Sequence, residues 1–549
     1  MLAQGAQAIK RRLGVWLDNP GLTAMIVFLV CGLRHLDLPG LYMDSVNPDY
    51  LAAHALHPHL NNFRALLPGG EGIILLGNYY HGVQNYYLAR FFLRIFGTSV
   101  VNIRLAQMLL GCVIVVACTA LARRFTRSNA WALVCGLCLA TDIAFIGSFR
   151  NQNYIVLGGF AWLCVSLLLL VPGREAEPSR RGVFASGVFG GLAAYGYFVM
   201  LFFYPAVLGM VISRTRAKAR SVLIWCAGVV IGLLPYIFGY LHMLQAFGGF
   251  AEFRAGMSNA VTNLHPVEQA STLIDRAQAV VQFAQMAMSD NENTIMAFEH
   301  SIPNTWGTFK PHLFVGVIAV LIGVWFYGFA RRRETANATQ LAWLPVSFIG
   351  VAAVAFGGRL GPHHFSVMIP LLYLLLVVLL AGALQHVDKE GRWHKGLALA
   401  VLVVVSGANL AQQQGYMHML QKTGGVGRSS SALTAMAEEA YEDGKDAIYV
   451  FPDWGFYTSF ALLTENSVPY VMDAAPSTLG NAAKQFPERK QFRLVFWSQG
   501  DAAKYTDAMM KSGISSITER GFHQRDGNIA FYMLEGQMAG MSASNNAKQ

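Results

Sequence analysis

Charged side chains are scarce in this sequence: they make up 13% of 549 residues, against 54% hydrophobic, with a mean hydropathy of +0.39. A soluble chain carries about 25% charged residues, so a wholly water-soluble protein is excluded and the chain reads as polytopic in a membrane. Cysteine is lacking wherever the chain is polar: Cys31, Cys112, Cys118, Cys135, Cys138, Cys164 and Cys226 all lie in apolar stretches, which excludes a disulfide framework. Cys135 and Cys138 form a CxxC, but one turn apart in an apolar run with no other soft ligand nearby they predict no metal or redox centre. No compact His, Asp or Glu ligand cluster occurs either, so neither a metal nor a cofactor is expected. No small-residue cleavage pattern follows Lys10, Arg11 and Arg12, and the first apolar run is expected to stay as a signal anchor.

The net charge is +10, yet Lys and Arg fall in short clusters at the ends of apolar runs. That distribution is topological and predicts no nucleic-acid partner. A span needs about 20 mostly apolar residues, and loops rich in Lys and Arg stay cytoplasmic. Residues 21–36 then run outward and 100–122 return to Arg123, Arg124 and Arg127. Spans follow at 131–147, 154–171, 221–241, 312–330, 341–356, 365–384 and 396–411. The run 183–213, with Gly190, Gly191 and Gly196 near its middle, predicts a tight pair of short or broken helices. This gives about eleven spans, with the amino end inside.

The expected fold class is therefore an α-helical polytopic membrane protein with a C-terminal extracytoplasmic α/β domain. Residues 1–411 form the membrane domain, with outer loops 37–99 and 242–311, and 412–549 form the α/β domain. In the first loop 79–96 reads as an amphipathic helix in the outer interface. A loop as long as 242–311 is usually functional. Beyond it DAIYVF, VPYVM, FRLVFW and NIAFYML read as strands, and 430–441 and 501–510 as helices.

The stretch that organises the chain is LDLPGLYMDSVNPDYLAAHAL, which places Asp44 and Asp49 just outside a span. A carboxylate at the mouth of a membrane bundle is a candidate general base. Arg64, His81, Arg150, Arg359, His363 and His364 are candidate cations near span ends, and Tyr50, Asn78, Tyr80, Asn151 and Asn153 candidate lining of a substrate cavity. Ionisable groups at such depths pair or line wet cavities. Together they offer a carboxylate to activate a hydroxyl and cations to hold a lipid phosphate.

Each has a plainer reading. SVNPDY is also turn and N-cap chemistry. His81 and Arg150 also suit the headgroup interface, and adjacent histidines point apart, which argues against paired metal ligation.

A first helix, an outer loop opening on an acidic residue, a His leading into an interface helix that ends in Phe96-Gly97, and Arg104 near the start of the second span resemble the polyprenyl-phosphate-dependent GT-C membrane glycosyltransferases. That family includes the protein O-mannosyltransferases and the lipid A aminoarabinose transferase. The resemblance covers about the first 215 residues and, more loosely, the rest; DWGFYTSFALLTENSVPYV is similar to outer-domain segments of bacterial members. Three departures stand out: Ser45 follows Asp44 where relatives have a second acid, Gly82 follows His81 where they have proline, and 149–153 reads FRNQN where they often carry an acid. The register leaves Asp44 and Asp49 both open as the base.

What the resemblance implies is an inverting transfer at the outer face of a bacterial inner membrane. The sugar comes from a polyprenyl-phosphate donor whose phosphate lies against His81, Arg150 or the His363-His364 loop, and it goes to a glycan, lipid or protein hydroxyl. The alternatives are a transporter or flippase for a lipid-linked sugar, and a non-catalytic relative. A transporter calls for repeated halves or mid-bilayer charges, whereas here no repeat occurs and the charges gather at one face.

Overall fold

The computed structural model describes residues 18–56, 73–78, 80–173, 177–264, 272–330, 340–387 and 392–538. Arg64 lies outside them, and of Asn78 only the backbone, on a short strand, is described.

Among the described residues five helices are long and apolar enough to cross a bilayer: Val100–Thr126, Asn153–Leu170, Thr305–Tyr327, Pro362–Leu384 and Lys395–Thr423. Two bent pairs, Asn129–Thr141 with Ile143–Arg150 and Lys218–Gly232 with Leu234–Ala246, turn through 55° and 52° and raise the number to 7. Shorter apolar helices occupy Pro20–Gly32, Phe198–Arg214 and Gln340–Ala355. Those three added to the 7 make ten, and reaching about eleven crossings also requires Arg180–Gly196. The expected pair within 183–213 is present as Arg180–Gly196 and Tyr204–Arg214, joined by a 3-10 turn.

Each bend has a local cause. Pro235 opens the second half of one pair, where its missing N–H breaks the hydrogen-bond ladder. At the other, the Asp142 carboxylate accepts from the Ala144 N–H at 2.8 Å and ion-pairs with buried Lys310 at 3.0 Å. The Tyr373 hydroxyl also donates to Asp142. Two helices approach at backbone contact: a Cβ on Gly187 would lie 2.1 Å from the Trp225 carbonyl oxygen, and one on Gly191 2.3 Å from that of Val229. Small residues permit such proximity where no hydrophobic force drives helices together.

The amphipathic helix is shorter than expected. It spans Gln84–Phe96, and ahead of it β1 (Leu76–Asn78) pairs antiparallel with β2 (His81–Gly82). His81 is thus on a strand rather than on the helix. Gly82 faces the Tyr195 ring, where a Cβ would lie 2.2 Å from Cε2, and the Tyr195 hydroxyl donates to the Leu75 carbonyl at 2.8 Å. The long segment near 242–311 contains helices Phe250–Leu264, Leu273–Ser289 and Asn291–Phe298.

The final apolar helix continues past 411 to Thr423. Then β3 (Ala447–Phe451), β4 (Tyr470–Met472), β5 (Gln491–Phe496), β6 (Ile514–His523) and β7 (Ile529–Met538) form a sheet in the order β4-β3-β5-β7-β6. The β3 strand pairs parallel with β4 and β5, and β7 antiparallel with β5 and β6. One face of the sheet buries its own helices, around Leu479, Phe492, Phe496 and Met509. The other face shares a core with the first loop, where Leu41, Val46, Tyr50 and Ala52 pack with Phe451, Phe456, Phe460 and Phe531.

Candidate functional site

Asp44 lies on a 3-10 turn, Met43–Val46, gripped from both sides. From the bundle, Arg104 donates to the carbonyls of Leu36 at 2.9 Å and Pro39 at 2.7 Å, and Gln107 donates to that of Ser45 at 2.9 Å. From the sheet unit, the Thr458 hydroxyl donates to the Met43 carbonyl at 2.7 Å. The Asp44 carboxylate is partly buried. It is hydrogen-bonded to the Tyr42 hydroxyl, which also interacts with Arg428. Burial raises its pKa to about 6, against the opposing pull of Tyr42 and Arg428.

Asp49 is sealed in, at 1% exposure. One oxygen accepts from Gln107 Nε2 at 3.3 Å; the other is buried with no hydrogen-bond partner. Burial pushes its pKa to about 7, with Tyr154 and Gln107 pulling it down. The same loop therefore carries a reachable carboxylate and an enclosed one. Tyr50 beside it is buried, and Tyr80 is held near both Asp44 and His81, its pKa raised to about 12 by burial and by the Asp44 charge.

The candidate cations divide. His81 is buried and stacks on Tyr197 at 5.7 Å between ring centroids. Desolvation lowers its pKa to about 4, which favours the neutral imidazole. Arg150 is also buried: Nη1 donates to the carbonyls of His35 and Leu38 at 2.6 Å, and Nη2 to that of Gly32 at 2.9 Å. With Arg104 it rivets the chain from Gly32 to Gly40.

His364 is buried with Nε2 3.1 Å from the Tyr197 hydroxyl. The two rings do not point apart as expected of adjacent histidines: that of His363 sits 3.9 Å from that of His364, and its Nδ1 lies 3.2 Å from Gln152 Nε2 and 4.0 Å from Glu292 Oε1. Arg359 is exposed on the same loop.

Asn151 and Asn153 belong to a buried polar cluster that sequence patterns did not assemble. Asn153 Nδ2 donates to Glu292 Oε2 at 3.1 Å, Asn151 Nδ2 to Asn293 Oδ1 at 2.5 Å, and Asn293 Nδ2 to Asp290 Oδ1 at 2.7 Å. Burial, more than any neighbour, raises Asp290 to about 7 and Glu292 to about 8. The acidic partners in this part of the fold are thus brought in by the 242–311 segment. Among the described residues no group of three or more His, Cys, Asp or Glu side chains could hold a metal ion.

Arg428, Tyr42 and Trp454 were also missed. Arg428 stacks its guanidinium 5.0 Å from the Trp454 ring, and Tyr42 meets that ring edge-on at 5.7 Å. The one available signal was DWGFY, which places Trp454 after Asp453 in the turn that follows β3.

Residues 81–238 match the sequence model of the dolichyl-phosphate-mannose-protein mannosyltransferase family. Over that stretch the chain is similar to that family, and its apolar helical bundle with a strand-containing C-terminal unit is a fold shared with solved membrane proteins. In particular it is similar to ArnT from Cupriavidus metallidurans in the apo state, at 14% identity and a TM-score of 0.56, over 95% of this chain and 98% of that one. The same protein bound to undecaprenyl phosphate aligns at 13% identity and a TM-score of 0.54, over 97% and 99%. No curated protein matches by sequence.

Proposed function

We propose that this protein moves a sugar from a polyprenyl-phosphate donor to an acceptor hydroxyl, with inversion, at the outer face of a bacterial inner membrane. The observation that carries the reading is the contrast between the two loop carboxylates: Asp44 is reachable and hydrogen-bonded through one side chain, whereas Asp49 is enclosed. Asp44 takes the acceptor proton as the oxygen attacks the anomeric carbon, and the sugar–phosphate bond breaks with its electrons on the phosphate. Asp49 holds the loop through Gln107.

The undecaprenyl phosphate bound to ArnT supports a polyprenyl-phosphate donor. Arg359 and His363, on one loop, are assigned to its phosphate, offsetting charge on the leaving group; His81 and Arg150 are assigned to the architecture around it. Residues 412–549 form the periplasmic part and the amino end is cytoplasmic, in keeping with the basic clusters that follow the inward-running apolar stretches.

The test is transfer from short-chain polyprenyl-phosphate sugars by purified protein. Asp44→Asn is expected to cost about 10²- to 10⁴-fold in turnover with donor binding intact, and Asp49→Asn far less. Full turnover by Asp44→Asn would overturn the assignment.

A further inference from the structure

We propose that Arg428, Tyr42 and Trp454 form an acceptor subsite for a sugar bearing an oxyanion, a carboxylate or a phosphate. The inference rests on the reading of Asp44 as the base. In an inverting displacement the base and the leaving phosphate lie on opposite sides of the anomeric carbon. A cation beside the base therefore belongs on the acceptor's side: Arg428 lies over the Trp454 ring, and Tyr42, two residues before Asp44, meets the edge of that same ring.

Among the described residues Arg104, Arg150, Arg428 and Arg525 lie close to this loop, and their surroundings differ; Arg525 pairs with Asp37 at 3.4 Å. Arg104 and Arg150 are buried and donate to backbone carbonyls. Arg428 is exposed. Its plane is held against Trp454, which restrains a flexible side chain before any ligand arrives. A guanidinium so presented matches the two oxygens of a carboxylate or phosphate.

The loop beneath it is built to hold that position. Gly455, at φ +118°, threads between Trp497 and Arg428: a Cβ there would meet Trp497 Cζ2 at 3.1 Å and Arg428 Cγ at 3.7 Å. Trp497 Nε1 donates to the Trp454 carbonyl at 2.9 Å, and the Trp497 N–H to Asp453 Oδ2 at 3.1 Å. The Trp454 side chain is left 38% exposed beside the Asp44 turn, an apolar surface on which the C–H face of a sugar can rest.

The experiment is ligand-observed NMR on the full chain in detergent, with methyl β-glucuronide, methyl β-glucoside and methyl β-glucoside 6-phosphate as probes. Binding of a short-chain polyprenyl phosphate is measured in parallel. One or both anionic probes are expected to bind about tenfold or more tightly than the neutral glucoside, and the tighter of the two names the oxyanion. Arg428→Gln erases that preference and Arg428→Lys retains part of it. Polyprenyl phosphate affinity in Arg428→Gln stays within about twofold of wild type.

Equal binding of all three probes, or of none, overturns the proposal. So does a preference that survives Arg428→Gln, the result expected if the arginine only positions Tyr42. A loss of about tenfold in polyprenyl phosphate affinity in Arg428→Gln assigns the cation to the donor and overturns it as well. Probe preference is read without turnover, so failure of Asp44 as the base, seen as transfer by Asp44→Asn, remains distinguishable from failure of the subsite.

Discussion

Asp44 and Asp49 share one loop, and burial raises both pKa values. A general base acts only when ionised. With Asp44 at about 6, kcat/KM is expected to rise with pH through that value and to level off above it, as a pH series on the purified protein checks. Asp49→Asn keeps the same limb. The sequence made both carboxylates legible, because their place after a first span and before an interface helix is a matter of order along the chain. It did not make Arg150 legible, since a cation facing a ligand and one facing carbonyls read alike. Arg428 was hidden for a different reason: it and Tyr42 meet at Trp454 only because the sheet unit packs on the first loop.

The apolar helices were legible as elements, because runs and basic ends are strong signals. Their breaks were less so. The Asp142 break is set by Lys310, which arrives from the helix beginning at Thr305, and both groups are buried. Removing one member of such a pair strands the other's charge, at a cost of about 3–5 kcal/mol. Lys310→Met is expected to destabilise the protein on that scale in detergent unfolding, and the double variant Lys310→Met with Asp142→Leu to recover part of the loss. A single variant as stable as wild type would show that the pair does not hold the bend. The β6 strand escaped sequence reading because, as an edge strand, it carries exposed and charged residues such as Glu519 and Arg520 where a half-buried strand alternates. The helix expected over 79–96 lost its first turn to the ribbon that carries His81.

Across the whole molecule, burial raises Asp49 and Asp290 to about 7 and Glu292 to about 8, while unfolded carboxyls titrate near about 4. Between those limits the folded chain keeps protons that the unfolded chain has released. Stability therefore falls as pH rises through about 4 to 8, the reverse of a paired carboxylate. The unfolding midpoint is expected to be higher near about pH 5 than near pH 8. The double variant Asp290→Asn with Glu292→Gln flattens that slope, and a midpoint that climbs toward pH 8 would refute the linkage.

The core shared by the first loop and the sheet also bears on how such proteins can be recombined. Leu41, Val46 and Tyr50 complete the apolar face formed by Phe451, Phe456 and Phe531, so the sheet is not a detachable cap. A chimera that takes the sheet of a relative must take residues 36–56 as well to keep that core intact. The loop and the sheet form one packing unit, assembled from segments far apart in the chain.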